Sequence, residues 1–457
     1  MTATEIARRA DGVLAAGSPD AIATSWEFDS RKLEPGACFV ALHGNRDGHD
    51  FVADALHEGA SVALVSRPLA AMRLHDDQAL VQVDDVVDAL QALATAMRAE
   101  RPDLRVVAVT GSTGKTSTKD LLAAVLAPLG GHANAASFNN EFGLPLTMLN
   151  APERAPMIVT EMGERFPGDI AALCAIAKPD VGVVTNVGLA HAEHLGGPDG
   201  VAEVLAELLE ALPASGLAVL NADDEQTPAL AARTSARVVT VGQSATADFR
   251  VDSVSVDERA RASFVLADTQ FSLQLHGAHH VGNAALAAVV GHVAFDVTWS
   301  DAARRIGAAS SSHWRMDLTE RSDGTIVIND AYNASPDSMQ AALHALASLA
   351  VPGRRLAVLG DMRELGVHSV DAHRHVGRLV ATLKLDALIA VGDLGALIAE
   401  GAGDGVAVVR SVADANAALA AAREIVEPGD AVLVKASRAM DLQEVAVGLL
   451  AQETTAP

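Results

Sequence analysis

The sequence predicts an α/β fold, and three observations carry that expectation. Short runs rich in Val and Ile, at residues 106–110, 157–162, 181–187, 217–221 and 238–242, alternate with segments of helical apolar spacing, the pattern of a parallel sheet with crossover helices. The alternation returns at 326–329, 356–360, 388–392 and 431–435, which predicts a second doubly wound sheet. The chain has 457 residues, half of them apolar, with mean hydropathy +0.23. That is material for several cores, and at about 150 residues per domain it predicts three.

The elements can be taken in order. Residues 83–100 have the apolar spacing of a helix, and Arg101-Pro102-Asp103 breaks it before the run at 106, which puts a boundary near residue 102. A smaller α/β unit precedes that break. Residues 250–275 alternate like strands, and 283–295 read as a long apolar helix, so the second boundary is expected near 312. The division is therefore 1–102, 103–312 and 313–457.

Charge and cysteine usage narrow the class. Lys and Arg number 34 against 58 Asp and Glu, a net charge of −24, which disfavours a nucleic-acid binder and an anionic-membrane binder. Cys38 and Cys174 have no metal-ligand or disulfide-framework spacing. The longest apolar stretch, 284–295, falls short of the roughly 20 residues of a membrane span and holds Gly291 and His292. Arg8 and Arg9 are followed by Asp11 rather than by an apolar core, so no signal peptide is read and a cytoplasmic location is expected.

The sharpest signal is Thr110-Gly111-Ser112-Thr113-Gly114-Lys115-Thr116-Ser117, between a strand at 106–109 and a helix through 129 that Gly130 and Gly131 can end. Glycines let backbone N–H groups turn inward, the helix start adds positive potential, Lys115 meets phosphate charge and Thr116 can ligate magnesium. Val109 stands where the general phosphate-loop spacing wants its first glycine, and Gly111 supplies the flexibility two residues later. The pattern predicts a nucleotide site.

With this loop in place the sequence resembles the Mur ligases, and within them the branch that adds D-alanyl-D-alanine to UDP-muramoyl tripeptide. The resemblance rests on the order and spacing of many segments. They include Asp29-Ser30-Arg31, Asp47-Gly48-His49, the phosphate loop, Phe138-Asn139-Asn140-Glu141, Glu161-Met162-Gly163, Thr185-Asn186 with Ala190-His191, and Asn221-Ala222-Asp223-Asp224. In the last third they are Arg315-Met316, Asp330 with Tyr332-Asn333, and Lys435 with Ser437-Arg438. The resemblance implies a small α/β N-terminal domain for the UDP end, a central P-loop ATPase domain with a mostly parallel sheet, and a C-terminal Rossmann-like domain for the amine. It implies ATP-driven amide formation through an acyl phosphate, in a monomer serving peptidoglycan precursor synthesis. A nucleotide-binding homologue with weak turnover, or a ligase for another amino acid, stands as the alternative.

Residue roles follow from the resemblance. Lys115 contacts the outer phosphates, with Gly111, Ser112, Thr113, Gly114, Ser117, Asn283, Arg315 and Asp330 around the nucleotide. Thr116 and Glu161 hold the magnesium carried by ATP, and His191 serves a second ion. Ser30, Arg31, Gly48 and His49 handle the UDP end, Asn139 and Asn140 the muramoyl peptide, and Tyr332, Asn333, Lys435, Ser437 and Arg438 the amine substrate. One departure matters most: Leu205 stands where the family carries a carbamylated lysine for the second magnesium, and leucine cannot ligate a metal. Glu203 and Glu207 lie two residues away and point elsewhere, so one magnesium is expected, and a second is left open: either His191, Glu161 and water hold it or one ion suffices. Smaller departures are Trp314 where a glycine is usual, Ser335 for Asn and Ala436 for Gly. His276, His279 and His280 lack a carboxylate or cysteine partner for zinc, and His368, His373 and His375 read as a polar helix face.

Overall fold

The computed structural model describes residues 1–451 apart from 45, 71, 135–136 and 190–191. Among them the chain forms three sheets, mostly parallel, each flanked by helices. By packing it falls into two compact units, residues 1–108 with 129–163 and 170–180, and residues 109–128 with 164–169 and 181–457.

The first sheet uses β1 (Val13–Gly17), β2 (Ser25–Glu27), β3 (Ala37–Val40), β4 (Val62–Val65) and β5 (Ala79–Gln82) in the order β1-β5-β4-β3-β2. Only β1 runs antiparallel to its neighbour. Successive residues alternate between two cores, Cys38, Val40, Val62 and Leu64 on one face and Phe39, Ala63 and Val65 on the other, as the two-residue period of a strand requires. The helix Val86–Glu100 is capped by Asp85, whose carboxylate accepts from the Val87 and Asp88 N–H groups.

The second sheet contains β6 (Arg105–Thr110), β7 (His132–Ala133), β8 (Met157–Glu161), β9 (Val181–Val184), β10 (Leu217–Asn221), β11 (Arg237–Gly242), β12 (Phe249–Val256), β13 (Arg261–Leu266) and β14 (Thr269–His276). Its order is β14-β13-β12-β11-β10-β9-β6-β8-β7. The run at 181–187 ends as strand at Val184, because Thr185 and Asn186 turn out of the ladder to bond the phosphate loop. The alternating 250–275 segment is an antiparallel meander, β12 to β14, added to the parallel part. After it comes the helix His280–Phe295, buried nearly all round and ended by Asp296 in the left-handed conformation.

The third sheet has β15 (Asp317–Glu320), β16 (Ile326–Asn329), β17 (Arg355–Gly360), β18 (Ala387–Val391), β19 (Val408–Val412) and β20 (Ala431–Lys435), ordered β15-β16-β20-β17-β18-β19. All pairs but β15–β16 are parallel. Two of the three smaller departures find local roles here. Ser335 caps the helix Pro336–Ser348 in a capping box with Ser338. The Ala436 methyl fills the space that a side chain on Gly360 would need, 2.8 Å from that Cβ position. His373 corrects the expectation of a polar face: it is fully buried, its Nε2 accepting the Met362 N–H at 2.9 Å and its Nδ1 donating to Ser369 O at 2.6 Å. Burial lowers its pKa, and the two bonds fix the neutral ring as a brace under the loop after β17.

Candidate functional site

β6 delivers the chain into Gly111-Ser112-Thr113-Gly114, and the helix Lys115–Leu126 begins at once. Gly111 at φ +132° and Gly114 at φ +79° take conformations that L side chains avoid. Space forbids a side chain as well, since a Cβ would lie 2.1 Å from Thr185 Oγ1 at Gly111 and 2.4 Å from Asn283 Oδ1 at Gly114. The loop is pinned on the segment after β9. The Ser112 N–H donates to Asn186 O at 3.0 Å and the Thr113 N–H to Asn186 Oδ1 at 3.0 Å, while Gly188 N–H donates to Ser112 Oγ at 2.8 Å and Thr185 Oγ1 to Thr113 O at 2.5 Å. Thr185 and Asn186 are thus the template of the loop, and Asn283 closes on it from the buried helix.

Lys115 Nζ donates to Gly111 O at 2.5 Å and faces Glu164 Oε2 at 3.4 Å. Thr116 is buried and Ser117 half-buried on the first helical turn. Inward amide groups, a helix start and a nearly buried ammonium make a receptor for phosphate. Glu164 was not expected here. No local pattern marks a carboxylate that folds back on a lysine 49 residues earlier.

At the end of β8, Glu161 is 1 % exposed and accepts from Asn139 Nδ2 at 2.9 Å. Asn140 turns the other way, its Oδ1 accepting the Gly143 N–H at the start of the helix Gly143–Leu149. His191 lies outside the described residues. Leu205 is fully buried on the helix Pro198–Glu210; Glu203 pairs there with Arg233, and Glu207 accepts the Gly168 N–H at 2.7 Å. A hydroxyl such as that of Thr116 and a carboxylate such as that of Glu161 are each donors of the kind a hard divalent cation takes, whereas the Leu205 side chain has no donor atom. Among the described residues, no group of three or more His, Cys, Asp or Glu could hold a metal by itself.

The third sheet brings a second set of loops together at the carboxyl ends of three neighbouring strands, β16, β20 and β17, where open parallel sheets bind ligands. Lys435, almost wholly buried, pairs with Asp330 Oδ2 at 2.6 Å and donates to Asn333 O at 2.8 Å, so it bolts the turn that carries Asp330, Tyr332 and Asn333. Asp330 Oδ1 accepts the Met316 N–H at 3.0 Å. The Arg315 guanidinium lies 4.1 Å above the Tyr332 ring, and that of Arg438 4.5 Å above the Trp314 ring. Ser437 Oγ accepts the Arg363 N–H at 2.9 Å. Seven of the site residues read from the sequence, Arg315, Asp330, Tyr332, Asn333, Lys435, Ser437 and Arg438, therefore gather here, and Trp314 joins them. A cavity of about 420 Å³ lies along the helix Pro336–Ser348, lined by His279, Asp337, Gln340 and His344.

In the first sheet, Asp29 caps a short 3₁₀ turn at Ser30–Lys32 and holds Arg31 by two bonds of 2.8 Å. That guanidinium holds the Asp29 carboxyl down at about 2. Arg31 itself is exposed. His49 is buried: Nδ1 donates to Asp47 at 2.6 Å, and Nε2 accepts the Ser66 N–H at 2.9 Å. It shapes the loop around Gly48, whose Cβ would lie 2.6 Å from Leu42 O.

Three family domains match the chain: the Mur ligase family catalytic domain at residues 24–101, the Mur ligase middle domain at 109–291, and the Mur ligase glutamate ligase domain at 314–438. The chain is 42 % identical to the UDP-N-acetylmuramoyl-tripeptide--D-alanyl-D-alanine ligase of Mycobacterium tuberculosis strain CDC 1551, over 99 % of this chain and 98 % of that protein. It is 37 % identical to the protein of the same name from Bacillus subtilis, over 92 % of each. Among solved structures, MurF from Acinetobacter baumannii superposes with a TM-score of 0.82 at 28 % identity, covering 98 % of both chains. MurF from Thermotoga maritima in complex with ADP gives 0.75 at 29 % identity, over 96 % of this chain and 100 % of that one.

Proposed function

The chain belongs to the Mur ligase family, and from that premise we infer that it joins D-alanyl-D-alanine to UDP-N-acetylmuramoyl-tripeptide in peptidoglycan precursor synthesis, forming ADP. The observation that carries this reading is the phosphate loop at Gly111–Thr116, locked on Thr185 and Asn186, in a chain similar along its length to ligases of that name.

A carboxylate is a poor electrophile. Its oxygen attacks the γ-phosphorus of ATP, ADP leaves, and an acyl phosphate results; the dipeptide amine then attacks the acyl carbon, inorganic phosphate leaves and a proton is released. No covalent bond to the protein is needed, so these residues act by placement and charge neutralisation. Lys115 moves from Gly111 O onto the outer phosphates, where its ammonium offsets the charge of the transferred group. Thr116 and Glu161 would hold the magnesium that ATP carries, and that ion would offset charge on the phosphate oxygens. Asn139 keeps the Glu161 carboxylate oriented by donating to one of its oxygens.

Arg315 and Asp330 take the phosphate and ribose of the nucleotide, with Asn283 closing over the loop. Tyr332, Asn333, Ser437 and Arg438 receive the dipeptide, and Arg438 is the arm for its carboxylate. Lys435 holds their turn from beneath. Residues 1–102 take the UDP end through Ser30, Arg31 and the Gly48–His49 loop, 103–312 the nucleotide and 313–457 the amine. The enzyme works as a cytoplasmic monomer with one magnesium; no helix among the described residues is long and apolar enough to cross a membrane.

Phosphate release measured with ATP, magnesium, the UDP-tripeptide and D-alanyl-D-alanine tests the reading. Turnover is expected only when both peptides are present, and no ATP consumption with both would overturn it. Lys115→Ala is expected to abolish ligation while the protein stays folded by circular dichroism; retained turnover removes the phosphate loop from the mechanism.

A further inference from the structure

Arg315 is presented by an unusual backbone. Trp314 before it has φ +62° and Met316 after it φ +50°, so two side-chain-bearing residues sit in the left-handed region on either side of one arginine. Glycine would take φ +62° without strain, whereas a bulky side chain is unfavourable there. Surrounding bonds hold the kink in place: Trp314 O accepts the Tyr332 N–H at 3.3 Å, and the Met316 N–H is fixed by Asp330. A tryptophan kept where the backbone prefers glycine must return the cost through its side chain.

The indole does so through Arg438. The Arg438 side chain is 48 % exposed, its guanidinium lies 4.5 Å from the indole centroid, and its Nη1 pairs with Asp441 Oδ1 at 3.6 Å. An arginine on an exposed turn after β20, held only by an exposed ion pair, would otherwise sample many rotamers. Stacking on a tryptophan face holds it flat without consuming any of its five N–H donors. Apart from Nη1, which faces Asp441, those donors are left for a ligand.

We propose that Trp314 is a positioning residue: its indole face holds the Arg438 guanidinium, donors outward, for the carboxylate of the incoming amine substrate. The proposal rests on the reading of Arg438 as the carboxylate ligand, and it explains why the linker into the third sheet carries an aromatic ring where its own backbone calls for glycine.

The test uses the full-length enzyme with saturating ATP and UDP-tripeptide and varied D-alanyl-D-alanine. Trp314→Gly is expected to raise KM for the dipeptide about threefold or more, with KM for ATP unchanged and a melting temperature equal to or above that of the parent, because the backbone strain is relieved. Trp314→Phe keeps a ring and is expected to restore most of the dipeptide affinity. In Trp314→Gly/Arg438→Ala the dipeptide KM is expected to equal that of Arg438→Ala alone, since the indole acts only through the arginine.

The proposal is overturned if Trp314→Gly leaves the dipeptide KM unchanged while Arg438→Ala raises it. It is overturned equally if both KM values rise together, which would make the tryptophan a general linker element. If Arg438→Ala itself leaves the dipeptide KM unchanged, the reading of the arginine fails, and the role of Trp314 falls with it.

Discussion

Lys115 Nζ and Glu164 Oε2 stand 3.4 Å apart, the carboxylate side chain wholly buried and the lysine side chain 12 % exposed. The pair spans the phosphate loop and the segment after β8, so the cation we propose for the phosphates is already partnered in the free protein. Binding must then break one attraction to make another. Glu164→Gln keeps the shape and removes the competing charge, so magnesium-free ATP is expected to bind about threefold or more tightly by calorimetry, while the free protein melts lower. An unchanged Kd would mean that the pair does not oppose nucleotide binding.

Leu205 occupies a fully buried position on the helix Pro198–Glu210. Ligation is expected to be indifferent to added bicarbonate in degassed buffer, because no amine stands at that position to be carbamylated. Leu205→Ala is expected to lower stability by roughly 2–5 kcal/mol through the cavity it leaves, with kcat maintained at temperatures where the variant is folded. Strong activation by bicarbonate would falsify the one-magnesium reading.

His280 is 2 % exposed, and among the described residues neither ring nitrogen has a hydrogen-bond partner; its ring lies 4.1 Å from that of His279. Burial drives its pKa well below the usual value, so the native state keeps it neutral while the unfolded chain binds a proton below about pH 6.5. Stability from this group is therefore lost as pH falls through that value. His280→Leu removes both the unmet nitrogens and the proton uptake, and is expected to raise the melting temperature, by more at pH 5.5 than at pH 8. A gain that does not depend on pH would refute the protonation argument.

Asp29 has the opposite sign. Arg31 holds its carboxyl at about 2, below the ordinary range near 4, so the pair stabilises the first sheet at neutral pH, and that contribution is lost as pH falls toward 2. Asp29→Asn is expected to melt lower than the parent at pH 6, with the difference shrinking as the pH is taken from 5 to 3. Thermal scans across that range check it, and a constant difference would assign the effect to the turn cap alone.

Much of this was legible because it is local. The phosphate loop is contiguous, its glycines forced by φ and by contact with Thr185 and Asn283, and the strands announce themselves by apolar runs between helical patterns. What stayed hidden depends on distant partners. His373 reads as polar on its own helix and becomes buried only because Met362 offers an N–H from the loop after β17. Lys435 suggests a substrate ligand by type and position, yet its ammonium is spent on Asp330 and Asn333, a contact set by strand order. Trp314 was visible only as a misfit, since its purpose lies 124 residues further on, at Arg438.

β20 lies at the centre of its sheet, between β16 and β17, although it is the last of the six strands to be made. Until residues 431–435 leave the ribosome, β15–β16 and β17–β19 are two fragments with exposed inner edges and no shared ladder. Lys435, at the end of that strand, then locks the turn of Asp330 and Asn333 in the same event. Translation that stalls before this point leaves a nascent chain whose nucleotide loop has all its own residues, while its acceptor half remains open to chaperones and proteases.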